Sequence, residues 1–189
     1  MMKKLPNLLT WLRILMIPLL VLVFYLPFEW ARPASSVLFG IAGLTDWLDG
    51  YLARRWQVTS RFGAFLDPVA DKLLVATALV LLVDDVSAWW MTLPALVIVS
   101  REIAISALRE WMAEVGQRAR VAVSWLGKVK TTAQIGALLF LLFKLPLPWV
   151  GIEVFPLGVV LLYVAALLTL WSMVDYMKAA FPSAGGTGD

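Results

Sequence analysis

Four aspartates lie close together in the stretch LTDWLDGYLARRWQVTSRFGAFLDPVADK, residues 44–72: Asp46, Asp49, Asp67 and Asp71. On a helix, Asp46, Asp49 and Ala53 share one stripe (i, i+3, i+7) with Gly50 beside them. Gly63, Asp67 and Asp71 share a second stripe (i, i+4, i+8). A short connection joins the two helices, so an antiparallel pair is expected, with both carboxylate pairs at one depth. Four anions converging in low dielectric repel one another, and divalent cations relieve that repulsion. The chain contains neither histidine nor cysteine. All-oxygen ligation therefore points to Mg2+ or Mn2+ rather than zinc or copper. Two such ions suit a displacement at phosphorus, one stabilising the attacking oxygen and one the leaving oxygen. Gly50 and Gly63 leave room for a nucleotide or diphosphate against the helix backbone, and Arg54 is placed to hold a phosphate. Without histidine, proton transfer falls to Asp, Glu, Lys or Tyr.

The chain that must position these groups is 61% hydrophobic and 15% charged over 189 residues, with a mean hydropathy of +0.84. That length fits one domain. A soluble fold of this size needs more polar surface to cover its core, so an integral membrane protein is expected. The absence of cysteine excludes disulfides and thiol catalysis. A formal net charge of +3 is too small an excess to suggest nucleic-acid binding. Lys3 and Lys4 open the chain like a signal sequence. No small-residue cleavage site follows, which favours a retained first span.

Only Val154–Val174 is an uncharged stretch of the ~20 residues that a bilayer needs. The runs Ile14–Phe28, Ala34–Thr45, Leu73–Val83, Ala88–Ser100 and Thr131–Phe143 are shorter, and each continues into a helical stretch that carries charges. An all-α protein with six transmembrane helices follows, with spans near 8–28, 34–55, 64–84, 88–112, 123–145 and 153–177. Lys3, Lys4, Arg13, Arg54, Arg55, Arg61, Arg118, Arg120, Lys128 and Lys130 gather at one set of ends. That bias places both termini in the cytoplasm. The intramembrane charges then occupy the cytoplasmic halves of five helices, implying a cytoplasm-facing polar cavity above an apolar floor. Charges lying in water beyond short spans explain Arg55, Arg61 and Arg118, but not Asp67 and Asp71. A span beginning after Lys72 has about eleven residues and covers about 17 Å, well under the ~30 Å hydrocarbon core.

The pattern Asp46-x-x-Asp49-Gly50-x-x-Ala53-Arg54, eight residues, then Gly63-x-x-x-Asp67-x-x-x-Asp71 resembles the signature of the CDP-alcohol phosphotransferases. The resemblance implies a dimeric, six-helix membrane enzyme. Such an enzyme transfers a phosphatidyl-type group from a CDP-activated donor such as CDP-diacylglycerol to an alcohol, and releases CMP. It implies that Asp46, Asp49 and Asp67 bind two metal ions, that Asp71 joins them and acts as general base, and that Gly50, Ala53, Arg54 and Gly63 contact the CDP moiety.

The acceptor is addressed by weaker signals. In REIAISALRE, 101–110, Arg101 and Arg109 share a stripe about 12 Å apart along the axis, with Glu102, Ser106 and Glu110 adjacent. They form either a charged helix at the membrane boundary or a site for an anionic acceptor. In SWLGKVKTTAQ, 124–134, Lys128 and Lys130 are candidates for the acceptor's phosphate; they are two residues apart and face different ways, which argues against both meeting one ligand and leaves either as a positive-inside residue. Together with PNLLTWLR, 6–13, and TLWSMVDY, 169–176, these segments are similar to the family members whose acceptor is sn-glycerol 3-phosphate. The similarity runs over about 5–178. Asn7, Thr10 and Arg13 match that branch's amino-terminal motif as accessory residues. Inositol phosphate, serine and phosphatidylglycerol are the rival acceptors. A transporter would also put acids inside helices, but the Asp-x-x-Asp-Gly segment has no internal repeat. Trp89, Trp90 and Trp149 read as an interfacial belt, and Pro68 as a shaper of the metal site. A single domain over 1–180, followed by a disordered tail over 181–189, completes the expectation, in a bacterial inner membrane.

Overall fold

The computed structural model describes residues 5–56, 61–116, 125–146 and 151–180; within its helices the side chains of 5–9, 47, 49–56, 61–65, 125–128 and 179–180 are not described. The described chain is six helices: α1 Leu5–Phe24, α2 Ala31–Trp56, α3 Arg61–Val86, α4 Trp89–Glu114, α5 Trp125–Phe143 and α6 Val154–Ala180. Every expected span is present as a helix. By length and composition two of them, Trp89–Glu114 and Val154–Lys178, are apolar enough to cross a membrane. The sequence reading expected both as spans but singled out only the second as uncharged throughout, because Arg101 and Glu102 interrupt the first. The first helix also stops short of the expected residue 28, ending at Phe24 ahead of Pro27. Proline cannot be preceded comfortably by helical backbone.

The other ends have local causes. Between α3 and α4, Ser87 takes a positive φ of 47° while its Oγ donates to the Asp84 carbonyl at 2.6 Å. After α4, Gly116 has φ 75° and its N–H donates to the Ala113 carbonyl at 3.2 Å. A glycine just past the C-cap, in the left-handed region, is the usual way of closing the last turn. Pro18, Pro68 and Pro94 all lie inside helices, each at the cost of one backbone hydrogen bond.

Packing is uneven along the bundle. One large core joins Leu20 and Phe24 of α1, Phe39 and Ala42 of α2, Leu79 and Leu82 of α3, Met91 and Ile98 of α4, Leu138 and Leu141 of α5, and Leu162 and Ala165 of α6. These are the more apolar halves of the helices, away from the four aspartates. Toward the other end a small cluster of Ile105, Met112 and Tyr176 holds α4 against α6. The helix contacts explain how the aspartates are placed: α1 packs on both α2 and α3, while α5 and α4 each pack on α6 but not on one another among the described residues. Close approach of α5 and α6 depends on Gly158, where an added Cβ would meet Leu141 Cγ at 2.8 Å and Leu141 N at 3.1 Å.

Candidate active site

The acidic helices do not simply face each other. The first helix lies against both and supplies the groups that hold the carboxylates. Arg13 is fully buried, and its Nη1 lies 2.6 Å from Asp46 Oδ1. One turn earlier on the same face of α1, the Thr10 hydroxyl donates to Asp67 Oδ1 at 2.5 Å. Asp46 on α2 and Asp67 on α3 are thus tied to one short segment of α1. Asp71, one turn beyond Asp67, is solvent-accessible. It lies within electrostatic range of Asp46, Arg13, Glu102 and Lys72. Three of the four expected aspartates therefore converge. Asp49, Gly50, Ala53 and Arg54 belong to the continuous helix α2, and Gly63 to α3. Their side chains, like that of Asn7, lie outside the described ones.

Among the described residues no group of three acids is tight enough to hold a metal ion, and the side chain of Asp49 lies outside the described ones. The described donors, Asp46, Asp67 and Asp71, are all carboxylates. Such hard oxygen donors fit a cation of the magnesium type. Arg13 and Thr10 each engage one oxygen, Oδ1, of their partner, which orients the carboxylate toward its neighbours.

Beside the aspartates lies a basic cluster built from three helices. Arg101 on α4 is buried, and its Nη2 donates to Ser172 Oγ on α6 at 2.9 Å. Its guanidinium stands 5.4 Å over the Tyr176 ring. Its Nη1 reaches Glu102 Oε1 at 3.1 Å. Lys130 on α5, also buried, pairs with that same Oε1. Lys130 is also within electrostatic range of Asp71, which joins the basic cluster to the aspartates. A cavity of about 770 Å³ opens here, walled by Pro68 and Lys72 of α3, Arg101, Glu102 and Arg109 of α4, and Tyr176 of α6.

The two arginines of 101–110 thus share one cavity, Arg101 buried at its base and Arg109 exposed at its rim. Of the two lysines, Lys130 enters the cluster; the side chain of Lys128 lies outside the described ones. Pro68 lines the cavity without breaking α3. Sequence reasoning missed Glu102 as the link between α4 and α5, and it missed Ser172 and Tyr176. The signal for the last two was present: polar groups one turn apart in an otherwise apolar helix.

The chain matches the family model described as CDP-alcohol phosphatidyltransferase over residues 3–171. It is 59% identical over 177 residues to the CDP-diacylglycerol--glycerol-3-phosphate 3-phosphatidyltransferase of Salmonella choleraesuis (strain SC-B67), covering 94% of each chain. It is 57% identical, with the same coverage, to the protein of that name from Escherichia coli (strain K12). A match over most of the chain, carried by the same aspartate-bearing helices that the fold brings together, leaves one assignment: this protein belongs to the CDP-alcohol phosphatidyltransferase family.

Proposed function

We propose that this chain is a phosphatidylglycerophosphate synthase, a CDP-diacylglycerol–glycerol-3-phosphate 3-phosphatidyltransferase. One observation supports the choice of acceptor above the rest: the buried cations Arg101 and Lys130 share one carboxylate oxygen of Glu102, and Lys130 lies within electrostatic range of Asp71. An anion-binding pair next to a candidate base suits an alcohol that carries its own phosphate. The names of relatives 57–59% identical over 94% of the chain agree with that reading.

In this reading Asp46, Asp49, Asp67 and Asp71 hold two divalent cations, Mg2+ or Mn2+, which when bound neutralise the donor diphosphate and the departing CMP. Gly50, Ala53, Arg54 and Gly63 receive the CDP moiety. Thr10 and Arg13, with Asn7 as a further accessory, keep the carboxylates in register. Arg101, Lys130, Arg109 and Lys128 orient the phosphate of glycerol 3-phosphate, with Lys130 within electrostatic range of Asp71. Asp71 takes the proton of the acceptor's C1 hydroxyl. That oxygen then bonds to the phosphorus esterified to diacylglycerol, the bond from that phosphorus to the CMP oxygen breaks, and CMP carries away the electron pair. The product is phosphatidylglycerophosphate.

All six helices cross a bacterial inner membrane in this proposal, with the cavity and both termini facing the cytoplasm. The acyl chains of CDP-diacylglycerol stay in the lipid of the inner leaflet. Residues 1–180 form one membrane domain, 181–189 a tail, and the enzyme works as a homodimer.

The test follows CMP release from CDP-diacylglycerol by purified protein in detergent with magnesium. Glycerol 3-phosphate is compared with inositol, inositol phosphate, serine and phosphatidylglycerol. Release that depends on glycerol 3-phosphate supports the proposal. Release with another alcohol keeps the aspartate chemistry and removes the acceptor. No release with any of them, from folded and metal-loaded protein, removes the enzyme assignment.

A further inference from the structure

We infer that Glu102 is a built-in competitor for the acceptor's phosphate: it occupies the Arg101–Lys130 cation pair until a phosphate monoester displaces it. The inference rests on the proposed acceptor only for the identity of the natural ligand; the anion exchange itself requires only the geometry.

Both cations converge on a single carboxylate oxygen, Glu102 Oε1. The side chains of Arg101 and Lys130 are 9% and 5% exposed, whereas that of Glu102 is 26% exposed. An anion approaching through the cavity therefore meets the carboxylate before the cations. The cations are already arranged for more than Glu102 uses. Arg101 is clamped by Ser172 and Tyr176, and its Nε has no acceptor among the described residues. A phosphate presents three oxygens to such a fork and can engage it at two points, which one carboxylate oxygen does not.

The displaced carboxylate has somewhere to go. Lys72 of α3 lines the same cavity and lies within electrostatic range of Glu102. Moving Glu102 toward Lys72 takes its negative charge off the Arg101–Lys130 pair while keeping that charge paired. The Glu102–Lys130 link is also a clasp, because α4 and α5 do not pack on each other among the described residues. Phosphate entry exchanges a contact between two helices for contacts of each helix with the ligand. A neutral alcohol cannot drive that exchange, so the internal anion favours phosphorylated acceptors over neutral ones.

The experiment uses the full chain in detergent, with inorganic phosphate as the probe and two readouts. One is the KM for glycerol 3-phosphate together with competitive inhibition by phosphate. The other is the phosphate-dependent rise in unfolding temperature, which requires no activity. In Glu102→Gln the KM and the inhibition constant both fall by about three- to tenfold, and the phosphate-dependent stabilisation grows. Glu102→Asp, whose charge is withdrawn by one methylene, moves the same way by less and carries the test if Glu102→Gln does not fold. A KM equal to or above wild type in a variant that unfolds at the wild-type temperature, with no gain in phosphate stabilisation, overturns the inference. If the wild type releases no CMP with glycerol 3-phosphate, the proposed function fails by itself, and the stabilisation readout still decides the role of Glu102.

Discussion

Arg13 places a full positive charge at zero exposure, 2.6 Å from Asp46, where a permanent cation inside a bundle is costly unless paired. Its position explains the burial, because Asp46, Asp67 and Asp71 crowd together and the guanidinium offsets part of their repulsion. Replacing it by glutamine keeps the volume and removes the charge. Arg13→Gln is expected to lower stability by about 3 kcal/mol or less, since Asp46 retains solvent access. Magnesium should restore more unfolding temperature in this variant than in the wild type, because an added cation takes over the missing counter-charge. Thermal unfolding with and without magnesium measures both effects; equal magnesium shifts in the two proteins would remove the counter-charge role. Asp71 calls for a different expectation. It is solvent-accessible, as a base that must meet a hydroxyl should be. Asp71→Asn should cut CMP release by about 10²–10⁴-fold while CDP binding survives. An active Asp71→Asn enzyme would remove the base assignment.

At the scale of elements, most of the architecture could be read from the chain. Apolar runs continued by charged stretches marked five helices and one uncharged run marked the sixth, and spacings of three, four and eight residues marked the stripes that carry Asp46, Asp67 and Asp71. What could not be read was which helices touch. The expectation set α2 against α3, and the two do touch, but α1 also packs on both, and nothing local in PNLLTWLR encodes that position. Glu102 and Lys130 lie 28 residues apart and Arg101 and Ser172 lie 71 apart; such pairings arise from tertiary packing. The choice between Lys128 and Lys130 could be framed from their opposite facing, but only the orientation of α5 on α6 turns Lys130 inward. That orientation depends on close contact, so Gly158 is a test of the element. A methyl group there meets both the side chain and the backbone nitrogen of Leu141, and α5 must shift. Gly158→Ala is expected to cost about 1–3 kcal/mol and to raise the KM for glycerol 3-phosphate, since α5 carries Lys130. A variant that unfolds at the wild-type temperature with an unchanged KM would show that the helices tolerate a wider spacing.

The whole molecule has two unlike ends. At one lie the aspartates and the cavity. At the other, polar contacts tie the helices together: Asp85 of α3 pairs with Arg32 of α2 and, at 2.8 Å, with Lys144 just past α5. Arg32 also lies 3.8 Å over the Phe24 ring at the end of α1, and the Tyr25 hydroxyl donates to Asp84 at 2.8 Å. Lys144 adopts a positive φ of 58°, an uncommon conformation for a residue other than glycine. A bundle whose charged site and cavity lie at one end suits a reaction in which a soluble acceptor enters from one side only and the lipid donor stays in its leaflet. In the proposed topology that end faces the cytoplasm, and six crossings would return both termini to that side. The absence of cysteine makes this directly measurable, because any introduced cysteine is the sole thiol. Ser87→Cys, in the exposed α3–α4 connection, should react with a membrane-impermeant maleimide added outside intact inner-membrane spheroplasts. Ser183→Cys, beyond the described residues, should react only after the membrane is opened. Labelling in the reverse order would invert the topology and place the cavity where no cytosolic phosphate ester could reach it; labelling of both from outside would mean that the number of crossings is odd.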